Sequence, residues 1–288
     1  MRNSYILLVL GFLYFNLSCE VINPAEEIPA YLYITPFSFS VNPAKHGSAS
    51  ANITEAWLSV NGDFLGVYSL PATVPVLAKG TANIRLEPGI YDNGIRATPN
   101  VYPFYQPFVV DQVLMPNQVD TIRPATTYQD AVRFSFIENF ENGSHIFTDQ
   151  LEGQSGFTLS NDFIFEGSHS GLITLNKANA LVEIASAQAY TQLTSVSPRV
   201  YLEMDYQSDV PVVWGVIGFT NVISEQQKIL EPGFRARNNW NKIYFDLSLL
   251  VLEGNYTAHK ILLQAAIPAD SNLEEAKVYL DNIKLVHF

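Results

Sequence analysis

The run Ile53-Thr-Glu-Ala-Trp-Leu-Ser-Val-Asn-Gly-Asp-Phe-Leu-Gly-Val-Tyr-Ser-Leu70 decides the fold class. Two strand-like segments flank Asn61-Gly62. Both turn residues can adopt positive φ, so the stretch reads as a tight β-hairpin. The same grammar continues on either side. Upstream lie the short alternating runs Ala30-Tyr-Leu-Tyr-Ile-Thr35 and Phe37-Ser-Phe-Ser-Val41. Downstream, Gly80-Thr-Ala-Asn-Ile-Arg-Leu-Glu-Pro-Gly-Ile-Tyr91 predicts another strand with a turn at Pro88-Gly89.

A second series of strands starts at Phe134-Ser-Phe-Ile-Glu-Asn-Phe-Glu141, after the polar junction Thr126-Thr-Tyr-Gln-Asp130. It continues through Gly156-Phe-Thr-Leu159, Phe163-Ile-Phe165, Gly171-Leu-Ile-Thr-Leu175 and Ala180-Leu-Val-Glu-Ile184. Longer strands are expected over 199–206, 210–219, 242–247, 260–267 and 277–286. No long helical period occurs; 186–192 and 273–276 are expected to give a turn or two of helix at most. The expected architecture is all-β, with an N-terminal immunoglobulin- or prealbumin-like sandwich over 30–125 and a C-terminal jelly roll over 130–288.

Composition bounds the function. Of 288 residues 48% are hydrophobic and 15% charged, enough to bury a sizeable core. Asp plus Glu number 28 against 16 Lys plus Arg, for a net charge of −12. A nucleic-acid footprint needs a basic surface, so that partner is disfavoured. A single cysteine excludes an intrachain disulfide framework.

That cysteine ends a charged, apolar, then small-residue opening: Arg2, the run Tyr5 to Phe15, then Asn16-Leu-Ser-Cys19. The pattern resembles a bacterial lipobox, departing from it at Asn16, where Leu is commoner. The resemblance implies a signal peptide over 1–18, lipidation of Cys19, a tether over 19–29 and an outer-membrane lipoprotein facing the periplasm or the cell surface. An ordinary signal peptide cut elsewhere is the alternative.

Two further resemblances bear on the folded parts. Leu58, Val60, Asn61, Gly62, Gly66, Pro75, Gly80, Ile84, Leu86, Pro88 and Gly89 follow the order of PEGA-type and prealbumin-like sandwich repeats. The wider pattern from Trp57 to Tyr105 looks like uncharacterised lipoproteins of Bacteroidota, a likeness that implies no activity. In the second region, Phe140-Glu141, Gly167-Ser168, Ser170-Gly171, Trp240-Asn-Lys-Ile-Tyr-Phe-Asp-Leu247 and Tyr279-Leu-Asp-Asn-Ile-Lys-Leu285 resemble the jelly rolls of carbohydrate-binding modules. In such modules a structural calcium is shared by acids on the first and last strands. That resemblance implies Glu141 and Asp281 as ligands, with Glu138 as an alternative; both could instead cap loops or face water. No other cofactor is expected.

Candidate binding residues follow from aromatic placement. Tyr102 and Tyr105, in Tyr102-Pro-Phe-Tyr-Gln-Pro-Phe108, could form an exposed platform for a sugar ring or a protein partner. A proline-stiffened edge segment that fills the sandwich is the competing reading. Trp240 and Asn239 sit in Arg237-Asn-Asn-Trp-Asn-Lys242, where a ring among amides suits sugar stacking, although a Trp leading into a strand is more often core. Trp214 reads as core. His46, His145, His169, His259 and His287 show no metal-ligand spacing. No nucleophile elbow or phosphate loop is present, so no catalytic residue is assigned. The expected function is a non-catalytic envelope lipoprotein acting as a binding or adaptor protein for an envelope protein. Polysaccharide capture by the jelly roll is the first alternative. A carbohydrate-active hydrolase, which would need two carboxylates at a set distance, is the second.

Overall fold

The computed structural model describes residues 27–220 and 226–288. The expected signal peptide, the expected lipidation site Cys19 and most of the expected tether lie outside these residues. The first sandwich contains β1 (Ala30–Ile34), β2 (Ser38–Phe39), α1 (Pro43–His46), β3 (Glu55–Val60), β4 (Asp63–Ser69), β5 (Ala72–Val76), β6 (Gly80–Tyr91), β7 (Pro99–Val101), β8 (Phe108–Leu114), β9 (Val119–Ile122) and β10 (Ala125–Thr126). One layer is ordered β5-β1-β9, with β1 and β9 parallel, and is extended by the small β10-β2 pair. The other is β4-β3-β6-β7, with β8 also on β6. Alternate residues of these strands meet between the layers, among them Leu32, Leu58, Ile84, Leu86 and Leu114.

The deciding hairpin forms as read. Asn61 and Gly62 take φ of 53° and 91°, and β3 pairs antiparallel with β4. Pro88-Gly89, in contrast, is no turn. Both residues lie inside the twelve-residue β6, opposite Ala56 and Glu55 of β3. The glycine answers a close approach: a Cβ there would stand 2.7 Å from the Trp57 ring and 2.8 Å from Glu55 Cβ.

The second sandwich contains β11 (Arg133–Glu138), β12 (Asp149–Glu152), β13 (Phe157–Ser160), β14 (Ser170–Asn176), β15 (Leu181–Ala185), β16 (Tyr190–Thr191), β17 (Val200–Ser208), β18 (Val212–Phe219), β19 (Gln226–Phe234), β20 (Arg237–Asp246), α2 (Ser248–Leu252), β21 (Ala258–Ala266) and β22 (Glu275–His287). One sheet is β13-β14-β22-β17-β20 with β11 on β22; the other is β12-β15-β21-β18-β19 with β16 on β21. Trp214, Phe147, Met204, Phe245 and Leu263 are among the side chains that fill the space between them. Neither expected helical turn appears: β16 and the start of β22 occupy those stretches, and the short helix is α2 instead. The run 163–165 is not a strand either. Its rings pack on Tyr279 and Trp240 instead of joining a ladder, and the three residues lie in the loop joining β13 to β14.

The two sandwiches share a third buried cluster. On β17, Leu202 and Met204 face the jelly-roll core, so Tyr201, Glu203 and Asp205 face the opposite way. Lys242 and Tyr244 of β20 and Lys284 and Val286 of β22 join them on that outer face, and the first sandwich covers it. Tyr102 and Tyr105 sit here. They are 0% and 2% exposed and pack against Tyr128, Tyr201 and Tyr244, with the Tyr102 ring 4.9 Å from Tyr244 and 5.3 Å from Tyr201. The exposed-platform reading of these two residues is therefore corrected: a ligand has no access to their rings.

The seam is polar as well as aromatic. Tyr102 donates its hydroxyl to Glu203 Oε1 at 2.6 Å, and Tyr128 donates to the same carboxylate at 2.8 Å. Lys242 Nζ lies 3.3 Å from Glu203 Oε2. Lys284 donates to the Ser48 carbonyl at 2.8 Å, and the Ser50 hydroxyl to Asp205 at 2.6 Å. Burial alone would raise the Glu203 carboxyl. Lys242, Lys284 and the two phenol donors outweigh it and hold the carboxyl below its usual range. Lys284 is pushed down to about 8, chiefly by burial. Burial holds the three seam tyrosines neutral, as donors must be. Backbone contacts add to this. Asn93 N–H donates to the Tyr244 carbonyl at 2.8 Å, and Asp246 N–H to Asn93 Oδ1 at 3.1 Å.

Removing the acid from this network leaves two ammonium groups without it in a dry seam. Glu203→Ala is expected to cost about 3–5 kcal/mol, and Tyr102→Phe about 1.5–3 kcal/mol for a bond to a charged acceptor. The wild type should unfold in one transition in denaturant. Two separated transitions, or a Glu203→Ala variant as stable as wild type, would contradict the seam.

Candidate functional site

The jelly-roll sheet that carries the seam extends beyond the first sandwich's footprint. On β22, Val278 and Leu280 enter the core, which turns Tyr279 outward beside Asp281. On β20, Ile243 and Phe245 enter the core, which turns Trp240 outward in line with Lys242 and Tyr244. Trp240 is thus half-buried on the outer face and outside the core. Its core reading is corrected. Trp214 is the fully buried tryptophan.

The loop 161–169 lies over this part of the sheet. Phe163 rests on Tyr279 with ring centroids 5.2 Å apart, and Phe165 meets Trp240 edge-on at 5.6 Å. Half of Phe163 and 39% of Phe165 remain exposed, with Ile164 exposed between them. Exposed Asn238 and Asn239 precede Trp240 on β20. The result is a surface strip of aromatic rings bordered by amides. Sequence reading supplied Trp240 and Asn239 as candidates. It missed Phe163 and Phe165 by assigning them to a strand, although the polar residues on either side, Asn161-Asp162 and Glu166-Gly-Ser, are a loop signal.

The two acids expected to bind calcium hold this loop. Glu141 Oε1 accepts the N–H groups of Ser168 and His169, both at 2.7 Å. Burial works against the charged form, but those two amide bonds win and hold the carboxyl below its usual range. Gly167 fits the tight approach, since a Cβ there would lie 2.5 Å from the same oxygen. Asp281 accepts from Glu166 N–H at 3.2 Å and from Asn282 N–H at 2.8 Å. Glu138 is used likewise, by Phe140 and Ile146 N–H, both at 2.8 Å. Calcium takes six to eight oxygen ligands. Here three carboxylates already accept backbone amides, and no group of three or more His, Cys, Asp or Glu suited to a metal occurs among the described residues. The donor set does not fit the ion, and the loop-capping alternative describes Glu141 and Asp281.

Asp281 is fully buried and lies near Asp205 and Glu166. Burial, reinforced by these two acids, pushes its carboxyl up to about 7 against the two amide bonds. Asp205 is raised too, by burial, while Glu203 beside it on β17 is lowered. Opposed shifts in neighbouring carboxylates are what acid–base catalysis needs. All three acids are 0% exposed, however, so a substrate cannot reach them.

No family model matches the chain, and no curated protein matches it. Solved structures do. One, described as a study of promiscuous specificity in carbohydrate-binding modules of the β-sandwich superfamily, aligns over 91% of this chain and 99% of its own at 15% identity and TM-score 0.41. A xylan-binding domain of family 22 aligns over 55% of this chain and 97% of its own at 14% identity and TM-score 0.38. A family 29 module solved with mannohexaose aligns over 54% and 91% at 14% identity and TM-score 0.34. At these scores the reading of the site rests on the chain's own geometry.

The Asp281 carboxyl gives a pH test. Its folded value of about 7 exceeds the ordinary 3.8, so between these values the folded chain keeps a proton that the unfolded chain has lost. Its contribution to stability is complete below 3.8 and is lost as pH rises through about 7. Melting temperatures from pH 4.5 to 8 should show wild type losing ground steadily to Asp281→Asn, which has no such proton. Parallel curves for the two proteins would refute the assignment.

Proposed function

We propose that this is a non-catalytic glycan-binding protein of the bacterial cell envelope, carried on the outer membrane by a lipidated Cys19. The observation behind the glycan reading is the strip formed by Trp240, Phe165 and Phe163 with exposed Asn238 and Asn239 at its border. Sugar rings present flat C–H faces that pack on aromatic rings, and their hydroxyls bond amides. The loop that supplies two of the rings is pinned by Glu141 and Asp281 over residues 166–169 and by the Ser170 hydroxyl on the Phe163 carbonyl, so the strip is organised before a ligand arrives. Such preorganisation lowers the ordering cost of binding. The inaccessibility of Glu203, Asp205 and Asp281 supports binding over hydrolysis. An adaptor role draws on the same exposed rings, since Phe163 and Ile164 also suit a protein partner.

Soluble protein comprising residues 20–288, titrated with a panel of purified polysaccharides, tests the reading. One or more neutral glycans should bind saturably. Trp240→Ala should weaken that binding by about tenfold, the loss of a stacked face worth about 0.5–1.5 kcal/mol plus its buried area. Glu141→Ala should weaken it less, by loosening the loop. A folded protein that binds no glycan would exclude capture and leave the protein-partner role. Separately, Cys19→Ser should abolish incorporation of a labelled fatty acid in cells; retained label would remove the anchor.

A further inference from the structure

A cleft of about 710 Å3 lies between the two sandwiches, on the opposite face of β20 from Trp240. Its volume falls within the ~300–1,000 Å3 typical of ligand sites. The loop 93–95 of the first sandwich forms one wall, and the turn from β19 into β20 forms the other. Tyr206 and Phe234 close its back, buried and stacked on each other with centroids 3.8 Å apart, and the Tyr206 hydroxyl bonds Asn241 and Arg237. Arg235 and Arg237 line the opening, both exposed, and the half-buried Asn241 amide stands beside them. Neither guanidinium has an ion-pair partner among the described residues, and that of Arg237 bonds the Tyr206 hydroxyl. Of the acids in the lining, Asp246 is occupied by Ser248 N–H at 2.9 Å and by Arg199 at 4.0 Å. Glu231 alone then opposes the two arginines, which leaves the cleft locally positive on a chain of net charge −12.

A guanidinium is planar and binds carboxylate or sulfate through paired donors. A side-chain amide at the same opening suits sugar hydroxyls. We propose that this cleft binds an anionic saccharide, with Arg235 and Arg237 on its acidic group and Asn241 on adjacent hydroxyls. The inference rests on the glycan-binding reading and adds the charge class of the sugar. Because both sandwiches form the walls, the seam is what sets the width of the site. The surrounding negative charge repels polyanions, so an acidic chain is held here by local contacts against the general field.

The test uses the protein of residues 20–288, polygalacturonate and dextran sulfate as acidic probes, and unmodified dextran as the neutral control, at 50 and 300 mM salt. Polygalacturonate should bind at least tenfold more tightly than dextran at the lower salt. The double substitution Arg235→Ala with Arg237→Ala should erase that preference, while its thermal melt stays at the wild-type value. Binding of dextran sulfate as well would extend the site to sulfated sugars; its absence would assign the site to uronates. Acidic chains bound no better than dextran, or a preference that survives the double substitution, would overturn the inference while leaving glycan binding at Trp240 standing. Acidic binding without any neutral glycan binding would do the reverse. No binding to any chain would overturn both.

Discussion

The carboxylate of Glu203 is the constraint on which the rest of the molecule depends. It is buried between two sandwiches and accepts hydroxyls from Tyr102 of the first and Tyr128 of the junction while a lysine of the second lies against it. A charge in that position is costly unless it is fully paired, and its two phenol donors reach it only when the first sandwich and the junction are docked on β17. The hydrogen bonds are directional and the surrounding rings are rigid. The seam therefore selects one relative placement of the sandwiches where an apolar contact alone would tolerate several.

That placement organises the outer surface. By covering one part of the jelly-roll sheet, the first sandwich leaves the rest of the same face to Tyr279 and Trp240. By passing the 93–95 loop beside β20, it makes the second wall of the cleft. The strand β20 consequently takes part in three environments. Lys242 and Tyr244 belong to the seam, Trp240 to the aromatic strip, and Arg237 and Asn241 to the cleft. A strand can do this because successive side chains point to opposite faces, and because its length exceeds the covered area.

What could be read from the sequence was local. Asn61-Gly62 specifies its hairpin through the φ values its own residues tolerate, and the strand-rich, helix-poor pattern reports the all-β class. Pro88-Gly89 misleads because the reason for Gly89 is the Trp57 ring on a neighbouring strand, far away in the chain. Tyr102 and Tyr105 look like a platform because the surface that buries them belongs to the other sandwich. Glu141 and Asp281 look like metal ligands because their true partners are backbone amides, which carry no residue signature. Trp240 was legible as an aromatic among amides. Its facing was not, because that depends on where the bulges of β17 and its neighbours set the register.

The seam also has a consequence in time. Tyr102 and Tyr128 precede Glu203 by 101 and 75 residues. As the chain is made from its N-terminus, the first sandwich can assemble before its acceptor exists, since its own core draws on strands up to β9. For that interval it presents a face of tyrosine and phenylalanine rings to the surroundings. Uncovered apolar surface on a folding intermediate is what invites aggregation and chaperone capture. The same aromatic density that fixes the finished molecule thus makes the half-finished one the vulnerable species, and the 130s to the 200s must be delivered promptly for the first sandwich to survive its wait.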